Sequence, residues 1–152
     1  MVGEDWAAVL TPGQQTFISG QRVAHLATTD ARGAPHIVPV CYVLADDSVY
    51  IGLDAKPKRV VPLRLKRVRN IIGNPQVSLL VDRYDEDWSR LAWVRLDGSA
   101  ELLLHGPEHE QALRLLRERY SQYGTLLPED APVIAVRVER VATWGDLARP
   151  SD

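Results

Sequence analysis

The sequence is poor in the residues that build covalent or catalytic sites. It has one cysteine, Cys41, among 152 residues. One cysteine cannot form an internal disulfide, and the count suits a reducing cytoplasm. Cys41 lies in an apolar run and is expected to be a buried small hydrophobe, not a nucleophile. No apolar run approaches the roughly 20 residues that span a bilayer. The opening MVGEDWAAVL has no basic start followed by a long apolar stretch, which predicts no signal peptide. The expectation is a cytoplasmic protein with no membrane partner.

Motifs are equally scarce. There is no GxSxG, HExxH, CxxC, phosphate-cradling Walker loop or GxGxxG, so hydrolytic and nucleoside-triphosphate chemistry have no support. His25, His36, His105 and His109 lack metal-ligand spacing, and the strand histidines read as structural. The acidic loop 84–88 lacks the alternating ligands and central glycine of a calcium loop and reads as solvated. Neither a metal site nor a protein-borne catalytic group is expected.

What is present is the balance of a globular core, 45% hydrophobic and 25% charged. The length fits one domain, residues 1–152, with no repeat or linker to divide it. The net charge of −2 is unevenly spread. Residues 56–69 hold Lys56, Lys58, Arg59, Arg64, Lys66, Arg67 and Arg69 without an acid, which leaves eleven basic against twenty acidic residues elsewhere. A positive stretch on an acidic chain points to a local anion site, not a nucleic-acid coat. Nucleic acid would also call for aromatics among the cations, and the segment has none.

The chain reads as helix, three strands, helix, two strands, helix, strand. Thr11 and Pro12 start the first helix and Gly20 ends it. Strands are expected over 22–29, 36–44 and 48–53, with a turn at 30–33. Pro39 suggests an edge, a bulge or a close approach. A helix over about 62–72 buries Val61, Leu65, Val68 and Ile72. Strands follow at 76–82 and 91–104, the second with a bulge at Gly98. A helix from Gly106-Pro107 then buries Ala112, Leu115, Leu116 and Tyr120, and a last strand covers 133–143. The pattern suits an antiparallel barrel with helices outside, not an alternating βα fold.

On this reading Lys58 and Arg59 stand just before a helix N-terminus, where the dipole disfavours cations by a few tenths of a kcal/mol. A phosphate would resolve the conflict through side chains, free amides and dipole together. Arg64 and Arg67, three residues apart, reach toward the same place. The alternative is a solvated helix face opposite Asp85, Glu86 and Asp87. Trp93 shares a strand face with Leu91 and Arg95; with Trp88 it suits an interface or stacking on a flat ring, or a plain core role.

The stretches HLATTDARGAPHIVPVCYVL, DAKPK and VRNIIGNPQVSLLVDRYDEDWSRLAWVRLDGSAEL, with the closing TWGD, carry a resemblance. Over residues 16–144 the chain resembles the pyridoxamine 5′-phosphate oxidase-like split-barrel flavin-binding family, within it the branch of coenzyme F420-dependent enzymes. The resemblance implies a mainly β, six-stranded antiparallel split β-barrel with flanking helices, paired into a homodimer with cofactor at the interface. It puts the ring beside Val38, Pro39 and Val40. It puts the phosphate on Lys56, Lys58, Arg59, Arg64 and Arg67, with Asp54 nearby and Asn70 at the end of the helix. The partner subunit would add Trp88, Trp93 and Arg95. The implied activity is hydride transfer to or from a small organic substrate using coenzyme F420, whose polyanionic tail suits an extended cationic path. FMN in the same fold, or a non-catalytic carrier of flavin, haem or deazaflavin, are the alternatives.

Overall fold

Alternation along the strands decides which way the sheet faces. In the structure, a computed structural model describing residues 9–54 and 62–148, β1 (Ala24–Thr29) buries Ala24, Leu26 and Thr28. His25, Ala27 and Thr29 turn to the other face, as a period of two requires. The turn that follows is built by Asp30, whose Oδ1 accepts the amide N–H groups of Arg32 (2.8 Å) and Ala34 (3.0 Å). Gly33 takes the left-handed φ of 81° that closes it. β2 (Pro35–Val40) then returns antiparallel along β1.

The single strand expected over 36–44 is two strands. It breaks at Cys41 and Tyr42, and β3 (Val43–Ala45) leaves to pair with β4 (Ser48–Gly52). The break centres on Tyr42: its amide donates to the Tyr120 hydroxyl at 3.1 Å, and its side chain is fully buried in the core. Its hydroxyl donates to the carbonyls of Ile18 and Gln21 at the end of the first helix. With β5 (Gln76–Arg83), β6 (Ala92–Leu103) and β7 (Val133–Gly145) the sheet has seven strands in the order β2-β1-β5-β6-β7-β4-β3, not six. Every pairing is antiparallel. The two edges, β2 and β3, are separated by two residues in sequence. Three Cα steps reach about 11 Å at most, so the sheet must curl until its edges come close. The result is a curled half-barrel, with Pro39 on the edge strand that its missing N–H predicts.

The expected bulge is present: opposite Asp97 and Gly98, β7 carries an extra residue, since Asp97 faces Arg140 and Gly98 faces Val138. A Cβ on Gly98 would lie 2.0 Å from the Arg137 carbonyl oxygen.

Helices seal the curl. α1 (Pro12–Gly20) starts with a capping box, Thr11 Oγ1 accepting from the Gln14 amide and Gln14 Oε1 from the Thr11 amide. The second helix starts later than expected. A 3₁₀ turn, Pro62–Arg64, comes first, and α2 (Lys66–Gly73) follows with Leu65 as its N-cap. Lys58 and Arg59 are therefore not the residues that precede the α-helical N-terminus; they, with Lys56 and Val61, lie outside the described residues. The inward arc of α2 is Val68, Asn70 and Ile71, while Ile72 is 68% exposed, against the expected stripe. α3 (Pro107–Arg119) and the unanticipated α4 (Tyr123–Leu126) cover a second cluster containing Tyr50, Leu116, Tyr120 and Ala135. The main core, with Leu26, Leu79, Leu96 and Ile134, lies inside the curl.

Candidate functional site

Where the edge strand breaks, a cavity of about 220 Å³ opens. Pro39 and Val40 of β2 form one wall and Ile51 and Gly52 of β4 another. Its polar groups are Cys41, Asp54, Arg67 and Tyr123, and Val23 stands at its rim. The break makes the cavity possible, because β2 and β3 diverge at Cys41 and leave the curl open between them.

Arg67 is the informative residue. It projects from the first turn of α2 into this space, and its Nε is buried without a hydrogen-bond partner among the described residues. Burial pushes its pKa down, while the Asp54 carboxylate and Tyr123 act in the opposite sense. A buried donor left unmade costs roughly 1–3 kcal/mol, more when charged, so an acceptor belongs there. The first turn of α2 holds no acidic residue.

Of the other residues expected at the site, Pro39, Val40 and Asp54 line the cavity with Arg67. Val38 does not; it packs against the core inside the curl. Asn70 is buried under α2, its amide donating to Thr28 Oγ1 (2.9 Å). Arg64 is exposed in the 3₁₀ turn, and Lys66 pairs with Asp30 at 3.6 Å. Cys41 corrects the sequence reading: it is only partly buried and borders the cavity. Tyr123 was not anticipated. It stands in α4, a short helix whose sequence carries no periodic signal.

Trp93 and Arg95 are elsewhere, on the outer face of the sheet. That face carries rows running across the strands, Pro39–His25–Leu80–Arg95–Ala142 and Ile37–Ala27–Ser78–Asp97–Arg140, with Asp82–Trp93–Trp144 beside them. Ile37 and Trp144 on it are 64% and 52% exposed. Trp88 is exposed in the loop before β6. A second cavity of about 480 Å³ lies on this face between Thr29, Pro35, Ser78, Arg95 and Arg140. There the Ser78 hydroxyl, and then Arg95, hold the Asp97 carboxyl below its usual range. The described residues contain no cluster of three or more potential metal ligands and no helix long and apolar enough to cross a membrane.

The curled antiparallel sheet of seven strands with a few helices places the chain among small half-barrel proteins. Residues 10–145 match the pyridoxamine 5′-phosphate oxidase family, and the chain belongs to it. Solved structures agree in fold. A conserved hypothetical protein of Mycobacterium tuberculosis superposes with a TM-score of 0.72 at 18% identity, covering 91% of this chain and 86% of that one. The haem storage protein HutZ of Vibrio cholerae gives 0.66 at 18% identity, covering 90% and 94%. A protein named F420 reductase gives 0.65 at 19% identity, covering 88% and 98%. At these identities the likeness is one of fold. No curated protein sequence matches the chain.

Proposed function

We propose that this chain is an oxidoreductase that holds a flavin-type cofactor, coenzyme F420 or, alternatively, FMN, in the cavity at the break between β2 and β3. The observation that carries the reading is Arg67, a half-buried guanidinium with an unmet Nε donor in a cavity whose other lining is Cys41, Asp54, Tyr123 and apolar side chains. An anionic cofactor group satisfies it, and the apolar walls of Pro39, Val40 and Ile51 suit a flat ring. Lys56, Lys58, Arg59 and Arg64 are the further cations proposed for the phosphate or the acidic tail. Bound there, the cofactor supplies hydride chemistry, so the protein needs no nucleophile of its own. The residues' work is to hold the anion, orient the ring and exclude water.

Cavity size supports a second copy. About 220 Å³ is below the roughly 300–1,000 Å³ of sites that enclose small ligands. Pro39 belongs both to the cavity and to the outer sheet face, so a second chain on that face would deepen the cavity. Trp88, Trp93 and Arg95 are the side chains proposed to come from it. A haem carrier is the second reading, because structures named for haem share the fold. Among the described residues no histidine lines the cavity, which favours the flavin-type reading.

The test is titration of the purified protein with FMN and with coenzyme F420, followed by tryptophan fluorescence and the visible spectrum. Micromolar binding to neither sinks the proposal. Replacing Lys58 and Arg67 together by alanine is expected to weaken binding at least tenfold; unchanged affinity would show that the anion sits elsewhere.

A further inference from the structure

Part of the cavity lining is distant in sequence from Pro39 and Val40. Tyr123 stands there, 6% exposed, on the short helix α4. Two contacts fix it. Its ring packs against Tyr120 with centroids 5.5 Å apart, and its amide donates to the Tyr120 carbonyl at 3.0 Å. The Cys41 thiol and the Asp54 carboxylate lie beside the phenol. Burial, with those neighbours, drives the phenol well above its ordinary pKa, so it stays an O–H donor throughout the working range. The cavity thus presents a cation, Arg67, and a fixed neutral donor, Tyr123, with the Asp54 carboxylate near both and apolar side chains completing the lining.

That pairing matches a particular kind of ligand: an anionic group joined to a planar heteroaromatic ring with a carbonyl acceptor on its edge. We infer that Tyr123 is a positioning residue, its hydroxyl donating to the polar edge of the ring while the Cys41 thiol borders the same edge. The inference rests on the proposed cofactor cavity and adds to it the residue that sets how the ring sits. The Tyr123 ring is held by Tyr120, and its hydroxyl, beside the Cys41 thiol, is the part of the side chain that a ligand in the cavity can reach. Cys41, at the strand break, is the nearest thiol by which occupancy can be read.

The experiment compares wild-type protein, Tyr123→Phe and Arg67→Ala with FMN and with oxidised coenzyme F420. Tyr123→Phe keeps the ring and its packing, so the melting temperature should hold. Loss of one hydrogen bond should weaken binding about three- to tenfold. The visible band of the bound cofactor should also move back toward its position in water, a change that lost packing elsewhere would not give. Equal affinity and an unchanged bound spectrum would overturn the role of Tyr123. If Arg67→Ala still loses binding in that case, the cavity assignment survives without it. If the wild type binds neither cofactor, both readings fall. Should Tyr123→Phe not fold, labelling of Cys41 by a maleimide decides. Saturating cofactor should slow it at least tenfold in the wild type, and an unaltered rate would refute placement of the ring edge against Cys41 and Tyr123.

Discussion

Arg67 is costly where it stands, and that makes its purpose measurable. Burial of this half-buried guanidinium outweighs the pull of Asp54 and Tyr123, so its charge is disfavoured where it stands. Arg67→Met should therefore leave the midpoint of urea unfolding unchanged or raise it, while cofactor affinity falls at least tenfold. A drop in both would mark Arg67 as structural. Glu108 is the opposite case, a carboxylate whose contacts serve stability. Arg137 and then Tyr50 hydrogen-bond it, and its pKa is lowered from 4.5 to about 2. Tyr50 donates at 2.6 Å and Arg137 Nη2 at 2.9 Å. A depressed carboxylate stabilises the fold above its unfolded pKa, and that stability is lost as pH falls through its folded pKa. The loss should run from about pH 4.5 to pH 2. Because 40% of the Glu108 side chain is exposed, screening should hold the effect to about 1 kcal/mol. Glu108→Gln should flatten the acid limb of stability in that window, as urea midpoints at several pH values would show.

Elements were legible where a local rule governs them. Thr11-Pro12 announced α1, Asp30 and Gly33 the first turn, and Gly98 the bulge, because capping, turn and bulge chemistry act within a few residues. Gly98→Ala should cost about 3 kcal/mol or prevent folding, since its Cβ would meet the Arg137 backbone carbonyl at 2.0 Å. Soluble yield and the denaturation midpoint measure it. The second strand was misread for a non-local reason. Residues 36–44 are continuous in β propensity, and distant contacts divide them: the Tyr120 hydroxyl accepts the Tyr42 amide and lies 2.9 Å from its carbonyl, and the Tyr42 hydroxyl reaches carbonyls some twenty residues earlier in the chain. Tyr42→Phe should remove that tie at a cost of about 1–2 kcal/mol. Thermal unfolding should then come earlier, while the far-ultraviolet spectrum stays that of the native sheet. The late start of α2 has a similar origin. Pro62 opens a 3₁₀ turn, and Leu65, which has no side-chain acceptor, serves as the α-helical cap.

At the scale of the whole molecule, charge alone pointed to the segment that holds Arg67, the one described residue of residues 56–69 that lines the cavity. The rest of the lining could not be read that way, since Cys41, Ile51 and Tyr123 meet only because the curled sheet and α4 bring their distant positions together. The outer face of β2, β1, β5, β6 and β7 is uncovered by any helix in the described residues, and it carries Ile37 and Trp144 largely exposed beside Trp93, Leu80 and Pro39. Apolar side chains gathered on one sheet face are expected to be covered. The charged centre of that face, Arg95 with Asp97 at 3.2 Å, supplies register for an interface more than affinity. If a second copy covers it, Ile37→Asp combined with Trp144→Asp should give a monomer by light scattering at micromolar concentration. Because Pro39 ties that face to the cavity, the same variant should lose cofactor affinity although Arg67 and Tyr123 are untouched. A wild-type monomer under those conditions, or a double variant that binds cofactor as the wild type does, would show that one chain completes the cavity by itself.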